Sequence, residues 1–76
     1  MKPEVLGYLV VARDSEHDEF PRRFAVRISN IDDAVLKVAE TVPEKNCEAE
    51  RPLSDAEIHK LRLKVGQVVQ YDPQAP

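Results

Sequence analysis

The apolar stretch EVLGYLVVARD, from Glu4 to Asp14, limits the fold of this chain strongly. Its length and its content of valine and leucine favour a β-strand over a helix. Alternate residues of a strand point to opposite faces of a sheet, and here both sets are apolar. The two sets are Leu6, Tyr8, Val10 and Ala12, and Val5, Gly7, Leu9 and Val11. We predict a central strand that is covered on both faces, or covered on one face and in contact with a partner on the other.

Chain length sets the size of the core around this strand. A chain of 76 residues forms one domain near the lower limit for independent folding. It buries only about 60–65% of the surface that its unfolded state exposes, so its core is small. A small core leaves little room for a deep substrate cleft, and we therefore predict no enzymatic activity. We expect a single domain over residues 1–72 and a frayed tail over residues 73–76.

The stretch RRFAVRIS, from Arg22 to Ser29, alternates between two sets of side chains. The first set is Phe24, Val26 and Ile28, and the second set is Arg23, Ala25 and Arg27. This pattern predicts a half-buried strand with a basic outer face. We expect it to pair antiparallel with the first strand because the connection between them is short.

The stretch NIDDAVLKVAETVP, from Asn30 to Pro43, predicts a helix. Ser29 or Asn30 can cap its first turn, where Asp32 and Asp33 complement the partial positive charge of the helix N-terminus. Apolar residues recur at helical spacing and form one stripe that should pack on the sheet. The stripe comprises Ile31, Ala34, Val35, Val38, Ala39 and Val42, with Leu36 at its edge.

The remainder predicts a strand, a helix and a further strand. EKNCEAERP favours a short edge strand, since its alternating glutamates would discourage pairing between molecules. Ser54 and Glu57 have the spacing of a capping box, and a helix from Asp55 to about Arg62 should follow. Leu53 and Ile58 have the spacing of a hydrophobic staple. Gly66 provides a turn before a last strand over residues 67–72.

The predicted order is β-β-α-(β)-α-β. This order is typical of a small α+β domain, in which an antiparallel sheet of three to four strands carries two helices. We expect both helices on one face of the sheet, because so short a chain has few residues with which to cover two faces.

A cluster of acids and one histidine lies in RDSEHDEFPRR, between the first two strands. Asp14, Glu16, His17, Asp18 and Glu19 have side chains that can ligate a metal. They lie together in one loop, however, and match neither zinc spacing nor a calcium loop with its central glycine. We interpret them as solvated loop residues and predict no metal and no cofactor.

The remaining candidates for catalysis are weak. His59 lies next to a lysine on the short helix and is predicted to be a surface residue. Cys47 has no histidine nearby in the sequence, so nothing in the sequence activates its thiol. With only two glycines, the chain contains no glycine-rich phosphate loop.

The arginines support two interpretations. Arg22, Arg23 and Arg27, with Arg13 across the hairpin, would form a basic stripe on the sheet. Arginine is favoured at protein interfaces because its planar group pairs with carboxylates and its stem packs on apolar surface. Nucleic-acid binding is the alternative, but it usually combines basic residues with stacking aromatics. The net charge of −3 also provides no overall attraction for nucleic acid.

The single cysteine cannot form an internal disulfide, and this favours a reducing, cytoplasmic setting. The longest apolar run has eight residues, VLGYLVVA, which is too short for a signal-peptide core with its flanks or for a membrane span. We therefore predict a cytoplasmic protein without membrane contact.

A resemblance extends over about Ser15 to Pro52. SEH precedes the strand FAVRIS, the helix DDAVLKVAE and VP follow, and then comes a short charged strand that ends in RP. This order resembles the small phage-encoded inhibitors of host bacterial RNA polymerase. Other phage-encoded blockers, such as anti-CRISPR proteins, have the same general build.

The resemblance implies a monomeric, non-enzymatic protein that docks on a polymerase subunit and regulates transcription by inhibition or antitermination. It also implies that charged residues of the hairpin and Arg51 are contact residues. The predicted partner-binding residues are therefore Arg13, Asp14, Glu16, Asp18, Glu19, Arg22, Arg23, Arg27 and Arg51.

Overall fold

The computed structural model describes residues 5–14, 21–44 and 46–71. Within these ranges the elements follow the predicted order β-β-α-β-α-β, so the α+β class is confirmed. They are β1 (Tyr8–Arg13), β2 (Arg22–Val26), α1 (Ile31–Thr41), β3 (Asn46–Pro52), α2 (Asp55–Leu61) and β4 (Val68–Tyr71). The predicted tail at residues 73–76 lies outside the described ranges.

The four strands form one antiparallel sheet in the order β3-β1-β2-β4. β1 therefore lies inside the sheet, as its two apolar faces predict. The predicted hairpin is also confirmed, since β1 pairs with β2 and places Val10 opposite Phe24 and Leu9 opposite Ala25. β3 is an edge strand, and its pairing with β1 shifts register between Leu9 and Val10.

One core lies between the sheet and α1. Val10, Phe24 and Val26 lie on this face of the sheet and pack with Ala34 and Val38 of the helix. The Asn30 side chain caps α1 by accepting a hydrogen bond from the Asp33 backbone N–H at 3.0 Å. Burial of the predicted stripe is only partial, because α1 leaves its side toward β3 uncovered.

A second core lies on the opposite face of the sheet. Leu9 and Ala25 point away from α1, and they pack with Leu53, Ile58 and Leu63. The expectation that both helices share one face is therefore wrong. The physical reason is that Ala25 is small and leaves space over β2, which the large apolar residues before, within and after α2 fill.

The ends of α2 follow the local sequence signals. The Ser54–Glu57 capping box is present, and the two staple residues Leu53 and Ile58 are both buried in the second core. At the C-terminal end, Arg62 adopts the left-handed conformation with φ of 53°. This lets the backbone N–H of Leu63 donate to the Ile58 carbonyl at 3.1 Å and satisfy a free carbonyl of the last turn.

The predicted turn at Gly66 is confirmed. Its φ is 81°, and its backbone N–H donates to the Arg27 carbonyl at 2.8 Å. A glycine suits this position because it lacks the side chain that makes positive φ costly. Within the described ranges, neither helix is long and apolar enough to cross a membrane.

Candidate functional site

The structure describes six of the nine residues predicted to bind a partner. Glu16, Asp18 and Glu19, together with His17 of the acid cluster, lie outside the described ranges. The six described residues do not form one surface. Asp14 is exposed directly after β1, and the five arginines fall into the following groups.

Arg13 and Arg23 lie on the face of the sheet that carries α2. Both form ion pairs with the edge strand: Arg13 Nη1 lies 3.8 Å from Glu48 Oε1, and Arg23 Nε donates to Glu50 Oε2 at 2.8 Å. Val11 lies directly between Arg23 and Glu48 in the strand pairing and is only 2% exposed. The charged side chains thus cover this part of the sheet with their apolar stems.

Arg22 lies on the opposite face, because it pairs with Ala12 in the hairpin. Its guanidinium donates to both carboxylate oxygens of Glu44 and lies 5.3 Å from the centre of the Phe24 ring. The hydrogen bond to Glu44 is the largest cause of a raised pKa of Arg22; burial opposes it, and the charges of Glu44 and Asp14 add to it. Arg22 therefore belongs with the α1 side and not with a stripe formed by Arg23.

Arg27 and Arg51 lie near α2. Arg27 Nη1 donates to the Leu63 carbonyl at 2.8 Å, which ties the end of β2 to the segment after α2. Arg51 forms a two-pronged pair with Glu57, with both N–O distances at 2.7 Å. That hydrogen-bonded pair is the main reason why the pKa of Glu57 falls to about 2; burial opposes the shift, and hydrogen bonds from Ser54 assist it.

These contacts change the electrostatic character predicted for the sheet. Four of the predicted arginines pair with glutamates that come later in the chain, namely Arg13, Arg22, Arg23 and Arg51. The outer face of β2 is therefore not a continuous basic stripe, since Ala25 is buried and Arg23 is neutralised. The sequence could not show this, because the spacing of the arginines does not reveal that β3 lies beside β1 in the sheet.

A groove between α1 and β3, here called the α1–β3 groove, is a mainly apolar feature of the described surface, and no arginine lines it. The residues that line it are Ile31, Asp32, Val35, Leu36, Ala39, Cys47, Glu48 and Ala49. Ile31 is 47% exposed and Leu36 is 57% exposed, although both are large and apolar. They lie beside the edge of β3 that no described strand pairs with.

Sequence analysis missed this groove as a site. It assigned Ile31 and Ala39 to the buried stripe and Leu36 to its edge, but the stripe is wider than the surface that β1 and β3 offer to α1. The signal for the groove in the sequence was the width of the apolar stripe when Leu36 is included. A helix that packs on a narrow sheet cannot bury so broad an apolar side.

Cys47 lies in the groove and is half-buried. Burial is the main cause that raises the pKa of its thiol, and the charge of Glu44 adds to it. The thiol is therefore kept protonated at neutral pH, which makes it a poor nucleophile and a poor metal ligand. Among the described residues, no three His, Cys, Asp or Glu side chains lie together in a way that could hold a metal ion.

No protein-family model, no curated protein and no solved structure matches this chain.

Proposed function

We propose that this protein is a non-enzymatic binding module that docks on a larger protein through the α1–β3 groove. The observation that carries the proposal is the exposure of Ile31 and Leu36 next to the edge of β3 that no described strand pairs with. Single exposed apolar residues are common on protein surfaces, but a group of them that lines a groove beside a strand edge is typical of an interaction site. Docking would remove this apolar surface from water, which favours association.

The partner that we propose is bacterial RNA polymerase, with this protein acting as a regulator encoded by a phage or mobile element. This choice comes from the resemblance over residues 15–52, which span β2, α1 and β3. In this proposal the protein acts as a monomer in the bacterial cytoplasm. It would inhibit transcription or promote antitermination by blocking a surface of the polymerase or by favouring one of its conformations.

The charged residues have a second role in this proposal. Exposed ion pairs contribute little to stability, so their members can exchange a partner within the molecule for a partner on another protein. Arg13 and Arg23, paired with Glu48 and Glu50, carry both signs of charge near the same edge of the sheet. Such charges mainly tune the rate and the selectivity of association.

Nucleic-acid binding through the arginines has weaker support. Phosphate contacts need cations that are free to replace counterions, and the pairing with glutamates lowers the local positive potential. A titration of the protein with duplex and single-stranded DNA at low salt tests this alternative. Binding that weakens steeply as salt is added would favour it over a protein partner.

The proposal is tested by affinity capture with purified RNA polymerase and with bacterial lysate. Leu36→Ser removes a groove side chain, and Lys37→Ser is the matched control. Lys37 is also an exposed residue of α1, but it lies about 100° further around the helix and does not line the groove. A third variant changes Arg22, Arg23 and Arg27 together to alanine.

We expect wild type and Lys37→Ser to retain the polymerase and Leu36→Ser to lose it. If a different protein is retained and Leu36→Ser loses it, docking through the groove is supported but the polymerase is the wrong partner. Retention of a CRISPR effector would identify this protein as an anti-CRISPR protein. If the arginine triple variant alone loses its partner while a thermal melt shows that it is still folded, the arginines form the interface and the groove does not. If no protein is retained by wild type, the proposed function is wrong.

A further inference from the structure

We infer that the α1–β3 groove receives an extended basic segment, which pairs with the free edge of β3 as a fifth strand. This inference rests on the proposed function and names the chemistry of the partner segment. It is carried by the orientation of β3, by the charge along β3 and by the position of α1.

The edge strand offers a suitable template. β3 runs for seven residues, Asn46–Pro52, and among the described strands it pairs with β1 alone. Since no described strand occupies its outer edge, its outer backbone N–H and C=O groups offer a template for strand addition, the arrangement that many peptide-binding domains use.

Side chains on such a strand would reach the helix. Cys47 pairs with Ala12 and Ala49 pairs with Val10, so both lie on the face of the sheet that carries α1. The next strand outward would direct every second side chain to this same face. There it would meet the exposed apolar side of α1 at Leu36, so alternate apolar residues are expected in the partner segment.

The charge along β3 selects basic residues for the remaining contacts. Glu48 pairs with Val11 in the sheet and binds Arg13, and Glu50 binds Arg23, so both carboxylates lie on the face of the sheet that carries α2. A strand that directs its apolar residues to α1 directs the alternate residues to this other face. Lysine or arginine at those positions would complement the two glutamates.

A second copy of this chain fits the groove less well. Antiparallel pairing of two β3 strands would bring Glu48 and Glu50 of one copy close to the same residues of the other. Like charges across neighbouring strands are destabilising, and the net charge of −3 adds a general repulsion between copies. A basic segment reverses the sign of these contacts.

The test uses defined peptides as probes. The first is a nine-residue peptide of alternating valine and lysine, and the second has glutamate in place of every lysine. The third repeats the first with methyl groups on alternate backbone nitrogens, which removes the donors for strand pairing and keeps the side chains. Affinity is measured by fluorescence anisotropy, and the site is located from amide shifts in ¹⁵N-labelled protein.

We expect the lysine peptide to bind at least about tenfold more tightly than the other two peptides, a difference that is easily resolved in affinity. Amide shifts should concentrate in β3 and the adjoining side of α1. Leu36→Ser should weaken binding about tenfold, whereas Lys37→Ser should leave it unchanged.

Several results would overturn the inference: equal binding of the lysine and glutamate peptides, full binding of the methylated peptide, or shifts on another surface. Dimerisation of the protein alone through β3, seen by sedimentation, would identify a second copy as the occupant and would also overturn it. The proposed function is separable from this result. If Leu36 is needed for capture of a protein partner but the three peptides bind equally, the proposed docking through the groove still holds. Only the inference that the partner adds a basic strand is then wrong.

Discussion

Arg22 donates two hydrogen bonds to Glu44, whose side chain is only 8% exposed; the Nε–Oε2 distance is 2.8 Å. The two residues are separated by most of β2, by α1 and by the turn that follows it. The pair therefore links the start of β2 to the segment that enters β3. Glu44 is the one buried charged residue of the described chain, and this guanidinium compensates its charge.

The first prediction concerns this pair. Arg22→Leu should lower the free energy of unfolding, because it removes two donors from a buried carboxylate. Arg13→Leu is the matched control, since its partner Glu48 is 70% exposed and lies 3.8 Å away. Urea denaturation at neutral pH should show a clear loss for Arg22→Leu and little change for Arg13→Leu. Equal effects of the two changes would contradict the account.

The second prediction concerns pH. The pKa of Glu57 is about 2 in the folded protein against an ordinary value of 4.5, mainly because of the hydrogen bonds from Arg51. The stability that this carboxylate provides is therefore complete above pH 4.5 and is lost as the pH falls toward 2. Since the pair is partly exposed to solvent, we expect a contribution of about 1 kcal/mol from the ion pair and cap together.

Glu57→Gln should thus lower stability at pH 7 and flatten the dependence on pH in the acid range. Glu48→Gln serves as the control, because its ion pair with Arg13 is long and exposed, and it should keep the acid dependence of the wild type. Thermal melts between pH 2 and pH 7 measure both variants over the range that the pKa shift defines. An unchanged acid dependence in Glu57→Gln would refute the assignment.

Local signals in the sequence predicted most of the fold. The double-sided apolar pattern of Glu4–Asp14 identified β1 as the central strand, and the capping-box and staple spacing identified α2. The side on which α2 packs was predicted wrongly, because both helices were expected on one face of the sheet. That side depends on contacts between distant residues, such as Leu9 with Leu63, which no local pattern encodes.

The third prediction concerns Gly7. A methyl group at Gly7 would collide with the Val26 carbonyl oxygen and approach Leu53 Cδ1 to 3.2 Å. Because these atoms belong to the sheet backbone and to the second core, Gly7→Ala should destabilise the protein by about 1–3 kcal/mol. Urea denaturation measures the loss.

Gly66→Ala provides a comparison with a different cause. An added methyl group there has no atom within 4 Å, so the cost comes only from positive φ and should be about 1 kcal/mol. A neutral Gly7→Ala would show that the backbone at the start of β1 is less closely packed than described.

The fourth prediction is a stabilising change. Arg62 has φ of 53°, a conformation that costs a residue with a side chain about 1 kcal/mol relative to glycine. Arg62→Gly should therefore raise the melting temperature, whereas Lys64→Gly, an exposed position two residues later without positive φ, should not. A lower melting temperature for Arg62→Gly would contradict this prediction. It would mean that the Arg62 side chain stabilises the fold by more than its positive φ destabilises it.

The candidate site was predicted less completely than the fold. The arginines were recognised as a group, but their partners lie on β3 and α2, and pairing across strands cannot be read from the spacing of the arginines alone. The groove arises where α1 packs beside β3 and leaves Leu36 exposed. The role of Glu16, Asp18 and Glu19 in partner binding remains a prediction.

The most direct measurement of the central claim uses Cys47, the single cysteine of the chain and a residue of the α1–β3 groove. The rate of its alkylation is followed by mass spectrometry with and without saturating RNA polymerase, or whichever protein is captured, at an alkaline pH that ionises enough of the thiol to react. We predict that the bound partner slows alkylation of the wild type strongly, and that Leu36→Ser, which does not bind, reacts at the same rate with and without partner. An unchanged rate for wild type that is fully bound would contradict docking in the groove.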